Sequence, residues 1–206
     1  MKVLLINGSP HEQGCTYTAL REVAGALEAQ GIETELFQVG NKPVAGCIGC
    51  GLCAKTRRCF MEDRVNELLE RMPATDGLVV GAPVYYAGPA GQINAFLDRA
   101  FYCKGKLFAN KPGAAVVSCR RGGASAAFDR LNKYFTISNM PVVPSQYWNQ
   151  IHGNTPEEVL QDKEGLQTMR TLGNNMAWLL KCIEAGRKAG VPDPVLEPRV
   201  STNFIR

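Results

Sequence analysis

Four of the chain's eight cysteines stand close together, at Cys47, Cys50, Cys53 and Cys59. Their spacing is C-x2-C-x2-C-x5-C, a pattern that neither helix nor strand packing asks for. Thiolates at such intervals are ligands of iron–sulfur clusters or of zinc. Two-residue spacers let a loop wrap one face of a cuboidal cluster, and Gly46, Gly49 and Gly51 permit the tight turns this needs. Structural zinc usually takes two C-x2-C pairs a longer span apart, which three consecutive short spacings do not provide. In bacterial ferredoxin runs the fourth cysteine follows after three residues and is trailed by proline. Here the last spacer is five residues and Phe60 follows, so all four thiols are free to serve one cluster. Residues 46–59 are therefore expected to hold a 4Fe–4S cluster, with zinc, a metal-free thiol loop and a disulfide pair as the alternatives. Arg57 and Arg58 beside the loop either tune such a cluster or form a solvated charge pair.

Three further segments carry ligand chemistry. The first, Gly8 to Thr18, groups the hydroxyls of Ser9, Thr16 and Thr18 with Gly14 and Cys15 around an expected helix start. Free N–H groups and the helix dipole favour an anion there. No Gly-Lys-Ser/Thr ending makes it a nucleoside-triphosphate loop, and no G-x-G-x-x-G makes it a dinucleotide turn. A phosphate monoester fits it better. The plain alternative is a strand-to-helix turn with a threonine cap. At this position the Cys15 thiol is either lowered in pKa by the helix end or simply a small residue filling the turn. The second segment holds Pro83, Val84, Tyr85, Tyr86 and Gly88, small and aromatic residues that suit a flat ring. The third holds Ser118, Arg120, Arg121 and Gly122, whose guanidinium and amide groups suit a ring that becomes anionic on reduction. His11 and His152 have no partner pattern, and no catalytic acid, base or nucleophile stands out.

The elements that must position these residues follow from periodicity. Val3–Ile6, Glu33–Val39, Leu78–Ala82, Gly113–Cys119 and Met140–Ser145 read as strands. Thr16–Ala29, a segment from Asp63 to Met72, Gln92–Cys103, Ala124–Ser138 and a region from a Thr155 cap to Lys188 read as helices. Cys103, Cys119 and Cys182 lie on apolar faces as small hydrophobes, and Asp98-Arg99 reads as an ion pair shaping a loop. Strand–helix alternation with apolar strands predicts an α/β fold, a doubly wound five-stranded parallel sheet with helices on both faces. A C-terminal helix and an extended arm complete it. Ligands bind such sheets beyond the carboxyl ends of the strands, which selects loops 7–18, 83–91 and 118–124. The cysteine loop follows the second strand at the same edge.

Taken together these pieces resemble a known family. Ile6-Asn7-Gly8-Ser9-Pro10 with Thr16 and Thr18, Ala82-Pro83-Val84-Tyr85-Tyr86, Phe96-Leu97-Asp98-Arg99 and Arg120-Arg121-Gly122 are similar to segments of flavodoxin-like NAD(P)H-dependent FMN reductases. The resemblance runs over roughly residues 1–185, and the cysteine loop points to the iron–sulfur flavoprotein branch. It implies a flavodoxin-like domain over 1–188, with residues 189–206 as the arm. It implies FMN, its phosphate on the first loop and its ring against the second and third. It also implies NAD(P)H or another reduced donor, a small-molecule or protein acceptor, and a homodimer or homotetramer. The ending Thr202-Asn203-Phe204-Ile205-Arg206 is similar to endings in this family, and is expected to wrap a partner subunit. Two other readings stay open: an FMN or quinone reductase without a working cluster, and a non-enzymatic metal- or redox-sensing module.

Composition excludes other classes. Apolar residues make up 45% and charged residues 20%, and the net charge is +4 without any long basic run, so no nucleic-acid partner is expected. The apolar run near the N-terminus is too short for a signal peptide, and no stretch is long enough to span a bilayer. The expected setting is the cytoplasm, where clustered cysteines bind metal or do redox chemistry more often than they form disulfides.

Overall fold

A computed structural model describes residues 1–198, 200–202 and 204. Five parallel strands form the sheet: β1 (Lys2–Asn7), β2 (Glu33–Gln38), β3 (Gly77–Tyr85), β5 (Gly113–Cys119) and β6 (Gln150–His152). Their order is β2-β1-β3-β5-β6, with a two-residue strand β4 (Gly88–Pro89) folded back antiparallel onto β3. Helices α1 (Cys15–Ala29) and α7 (Lys163–Lys188) pack together on one face, and α3 (Arg64–Arg71), α4 (Gly91–Lys104) and α5 (Ala124–Ile137) cover the other. Short helices α2 (Cys53–Thr56) and α6 (Pro156–Val159) lie in the connections.

The strands are sandwiched because both of their faces are apolar. Val3, Leu5, Val79, Ala114 and Val116 pack toward α1 and α7. Leu4, Ile6, Leu78, Val80 and Ala115 pack toward α3, α4 and α5. Burial on both sides explains the near-continuous apolar runs. The chain runs from β1 to β2 on one side and later to β3 on the other. The switch point therefore lies between β1 and β3, where Asn7 stands opposite Gly81.

Four expectations are corrected. The fifth strand is Gln150–His152, not Met140–Ser145. Pro141 and Pro144 lack the N–H that a ladder needs, and only one bridge forms there, Gly113 to Val142. The segment 83–91 is not all loop, because β3 continues to Tyr85 and turns back through β4. The helical region after Thr155 is broken in two. Thr155 caps α6, and Asp162 starts a new helix by accepting from Gly165 N at 2.9 Å. Cys182 is exposed, whereas Cys103 and Cys119 are buried as expected. Described residues beyond Gly190 form neither helix nor strand, and Asn203, Ile205 and Arg206 of the expected wrapping segment lie outside the described residues.

Candidate functional site

Loops after β1, β3 and β5 meet at one end of the sheet because those strands are adjacent and in register. Gly81 pairs with Val116, and Pro83 with Ser118. The first loop is tied down by Asn7, which is 1% exposed. Its Oδ1 accepts from Ser9 N at 3.1 Å, and its Nδ2 donates to Glu12 O at 3.2 Å and His11 O at 3.4 Å. Ser9 Oγ accepts from His11 N at 3.1 Å, and Gln38 Nε2 donates to Ser9 O at 2.7 Å. Two glycines let backbones meet. A Cβ on Gly8 would lie 2.7 Å from Ile93, and one on Gly81 would lie 2.8 Å from Leu20 and Thr16.

The loop delivers an uncapped helix. Gly14 occupies the N-cap of α1 and offers no side chain. The first ladder bond runs from Thr18 N to Gly14 O at 3.0 Å, so the amides of Cys15, Thr16 and Tyr17 stand outside the ladder. These are the donors an anion takes at a helix N-terminus. Thr16 is buried, with its Oγ1 2.8 Å from Ser118 Oγ, a bond that ties the first loop to the third. Thr18 Oγ1 donates to Gly14 O at 3.2 Å. Cys15 Sγ donates to Gly153 O at 3.7 Å, and burial pushes its thiol pKa up rather than down. Its place in the turn is that of a filling residue.

The second and third loops lean on each other. Tyr86 and Ala87 make the two-residue turn between β3 and β4 with φ of 48° and 59°. Both are in the left-handed region that this turn type demands and that residues other than glycine, asparagine and aspartate rarely occupy. The ring of Tyr86 is fully exposed and Tyr85 is about half exposed. Gly123, at φ 89°, packs so closely on the turn that a Cβ would lie 2.7 Å from Ala87 Cα. Arg120, Arg121 and Gly122 are exposed beside it, with Pro83, Val84 and Gly88 partly covered.

The cysteine segment behaves differently. It leaves the sheet edge near Gln92, whose Nε2 donates to Gly40 O at 2.6 Å and Lys42 O at 3.0 Å. It then descends along α4 rather than staying at the edge. Cys47, Cys50, Cys53 and Cys59 line one hollow together with Arg99, Tyr102 and Cys103. Arg99 and Cys103 are four residues apart on one face of α4, about 12 and 18 Å along its axis from Gly91 at 1.5 Å per residue. Cys47 and Cys50 are exposed, and Gly49 and Gly51 turn the chain at φ 66° and 72°. Among the described residues, no three His, Cys, Asp or Glu side chains converge as a single ion requires.

Arg99 was expected to pair with its neighbour Asp98. Successive residues of a helix point apart, and the two side chains go to different places. Asp98 accepts from Tyr134 Oη at 2.5 Å and from Arg130 Nη2 at 3.1 Å. Arg99 pairs with Asp63 at 2.5 and 3.0 Å and donates from Nη2 to Cys59 Sγ at 3.2 Å. Burial opposes its charge, but Asp63 and Cys59 outweigh that and hold its pKa above the usual value. Arg58 instead pairs outward with Glu62 and Glu70. Cys103, a fifth thiol in the hollow, is pushed up to about 11 by burial and by the Cys53 and Cys59 thiols. Asn7, Arg99 and Cys103 were not among the expected site residues. An arginine and a cysteine at i, i+4 on the apolar stripe of α4 were the available signal for two of them.

A doubly wound sheet of order 2-1-3-4-5 in its parallel strands, with its loops gathered at the switch point, defines the flavodoxin-like class. Solved structures agree on the fold. RosB with its bound 8-demethyl-8-formylriboflavin-5'-phosphate intermediate superposes with a TM-score of 0.70 at 19% identity, covering 100% of this chain and 93% of that one. A flavodoxin from the Archaea superposes with a TM-score of 0.61 at 15% identity, covering 88% and 99%. Residues 1–155 match the family described as NADPH-dependent FMN reductase. An iron–sulfur flavoprotein of Methanocaldococcus jannaschii is 34% identical over 192 residues, 89% of this chain and 100% of that protein. The chain belongs to the FMN reductase family, in its iron–sulfur flavoprotein branch. It is an FMN-dependent redox protein, an oxidoreductase. No helix among the described residues is long and apolar enough to cross a membrane.

Proposed function

We propose that this protein moves electrons between a reduced donor, NAD(P)H or similar, FMN, and a 4Fe–4S cluster held by Cys47, Cys50, Cys53 and Cys59. When bound, FMN supplies paired and single electron exchange, and the cluster supplies single-electron storage. The chain's own residues do the rest. Amides of residues 15–17 with Ser9, Gly14, Thr16 and Thr18 hold the flavin phosphate. Pro83, Val84, Tyr85, Tyr86 and Gly88 flank the ring on one side, and Ser118, Arg120, Arg121 and Gly122 on the other. The exposed guanidinium groups of Arg120 and Arg121 favour added negative charge on that ring, and the open outer side admits a donor transiently. The unit acting this way spans 1–188, with 189–206 as an arm toward a second copy in a cytoplasmic homodimer or homotetramer. The fully exposed Tyr86 supports such a partner.

One observation carries the reading: four cysteines line a single hollow on the same helix whose N-terminus borders the flavin loops. Strictly anaerobic purification and reconstitution test it, followed by absorbance and by iron, sulfide and FMN assays. The expected protein carries one FMN and about four irons per chain, the content of this cluster type. Flavin without iron would sink the cluster.

A second reading has its own support. None of the residues assigned to the flavin lines the cysteine hollow. Quinone or FMN reduction would then proceed unchanged in a protein stripped of iron.

A further inference from the structure

Arg99 is the most deeply buried cation in this region, with its side chain 1% exposed. An unpaired charge there would cost several kcal/mol, roughly, so its partners identify its task. Asp63 takes one edge of the guanidinium. Met61 O at 3.2 Å and Ala45 O at 3.4 Å take more of it. The remaining strong contact is Nη2 to Cys59 Sγ at 3.2 Å. Its Nε is buried with no partner.

Cys59 is also fixed through its backbone. Asn66, 3% exposed, accepts from Cys59 N at 3.0 Å and donates to Cys59 O at 2.9 Å and Met61 O at 3.2 Å. Cys47 and Cys50, by contrast, are exposed on glycine turns. Cys53 starts α2 and packs against the core, and Cys59 is the thiol whose backbone and sulfur are both held by buried side chains. The surface arginine Arg58 spends its charge on Glu62 and Glu70. Arg99 is the cation that hydrogen-bonds a ligand sulfur.

We propose that Arg99, held by Asp63, is a positioning and potential-setting residue for the cluster: it anchors the Cys59 corner and donates a hydrogen bond to that sulfur. This rests on the cluster reading above. Hydrogen bonds and positive charge at ligand sulfurs favour the more negative, reduced state, so Arg99 raises the reduction potential. Asp63 opposes that rise by balancing the guanidinium charge.

The test uses two substitutions with opposite expected signs. Arg99→Gln removes the donated charge. Asp63→Asn removes the balancing charge yet keeps the α3 cap, since asparagine caps as well as aspartate, and Asp63 Oδ1 accepts from Val65 N at 3.1 Å. Full-length proteins are reconstituted anaerobically, and the cluster midpoint is read by potentiometric titration with electron paramagnetic resonance. The FMN midpoint serves as internal control. Arg99→Gln is expected to lower the reduced-to-oxidised ratio at a fixed potential about tenfold, about 59 mV for one electron. Asp63→Asn is expected to shift it the other way, with FMN unmoved. Unchanged midpoints, or shifts of the same sign in both variants, overturn the proposal while leaving the cluster reading standing. If Arg99→Gln takes up no iron, Arg99→Lys decides. Uptake with a midpoint near wild type supports the charge role, and failure to take up iron, or a midpoint as low as expected for Arg99→Gln, overturns it. Wild-type protein without iron overturns both readings, and is told apart by its own assay.

Discussion

The cradle proposed for the flavin and the cysteine hollow are built by opposite means. In the cradle every loop hangs from the end of a buried strand, and neighbouring strands pin the loops in register. Its side-chain bonds, Asn7 to the first loop and Thr16 to Ser118, are buried and local to the switch point. The hollow has one short helix, two exposed cysteines and glycine turns, and draws its order from Arg99 and Asn66. A site made by the sheet exists before its ligand arrives. A site made by a loop waits for its ligand to complete it, because metal binding and ordering share one free energy.

The sharpest way to separate the two is Cys53→Ser. It is expected to abolish iron and sulfide content while FMN stays at one per chain, as assayed on anaerobic protein. Loss of flavin as well would break the comparison. Next in size is Gly8→Val. The new Cβ meets Ile93 at 2.7 Å and Gly81 O at 2.9 Å, so the switch point must open. A cost of about 1–3 kcal/mol, or more, is expected in urea unfolding, with weak FMN retention. Asn7→Ala acts more narrowly. It removes three bonds that shape the first loop, and about 1–3 kcal/mol of support for them. Flavin fluorescence titration is expected to show FMN affinity at least tenfold weaker, with iron uptake unchanged. The smallest effect belongs to Thr16→Val, which deletes the Thr16–Ser118 bond at about 1 kcal/mol. Chelation of iron from the wild type sharpens the contrast. Amide exchange is expected to rise across 46–61 and to stay flat across 7–18.

The strands that carry the cradle's loops were legible along the chain. Continuous apolar runs such as Gly113–Cys119 mark strands buried on both faces, and that strand is observed with the same limits. The hydroxyl-rich turn around Ser9, Thr16 and Thr18 predicts a helix start, and α1 begins there at Cys15, because that signal is local. Failures came where a local signal was overruled. Met140–Ser145 is apolar enough for a strand, but its prolines cannot feed a ladder, and Gln150–His152 pairs with β5 instead. The Tyr85-Tyr86 segment looked like open loop, yet β3 carries on into a hairpin.

The cysteine spacing, the strand–helix alternation and the family motifs are properties of short stretches, and short stretches of sequence suffice to read them. The meeting of Arg99 with Cys59, forty residues apart, is not such a property. Neither is the descent of the cysteine segment along α4, nor the arrival of Cys103 as a fifth thiol in its hollow. Those depend on which side of a helix faces which loop once the sheet has closed. A buried arginine finds its partners only when folding has removed the water that would otherwise solvate it.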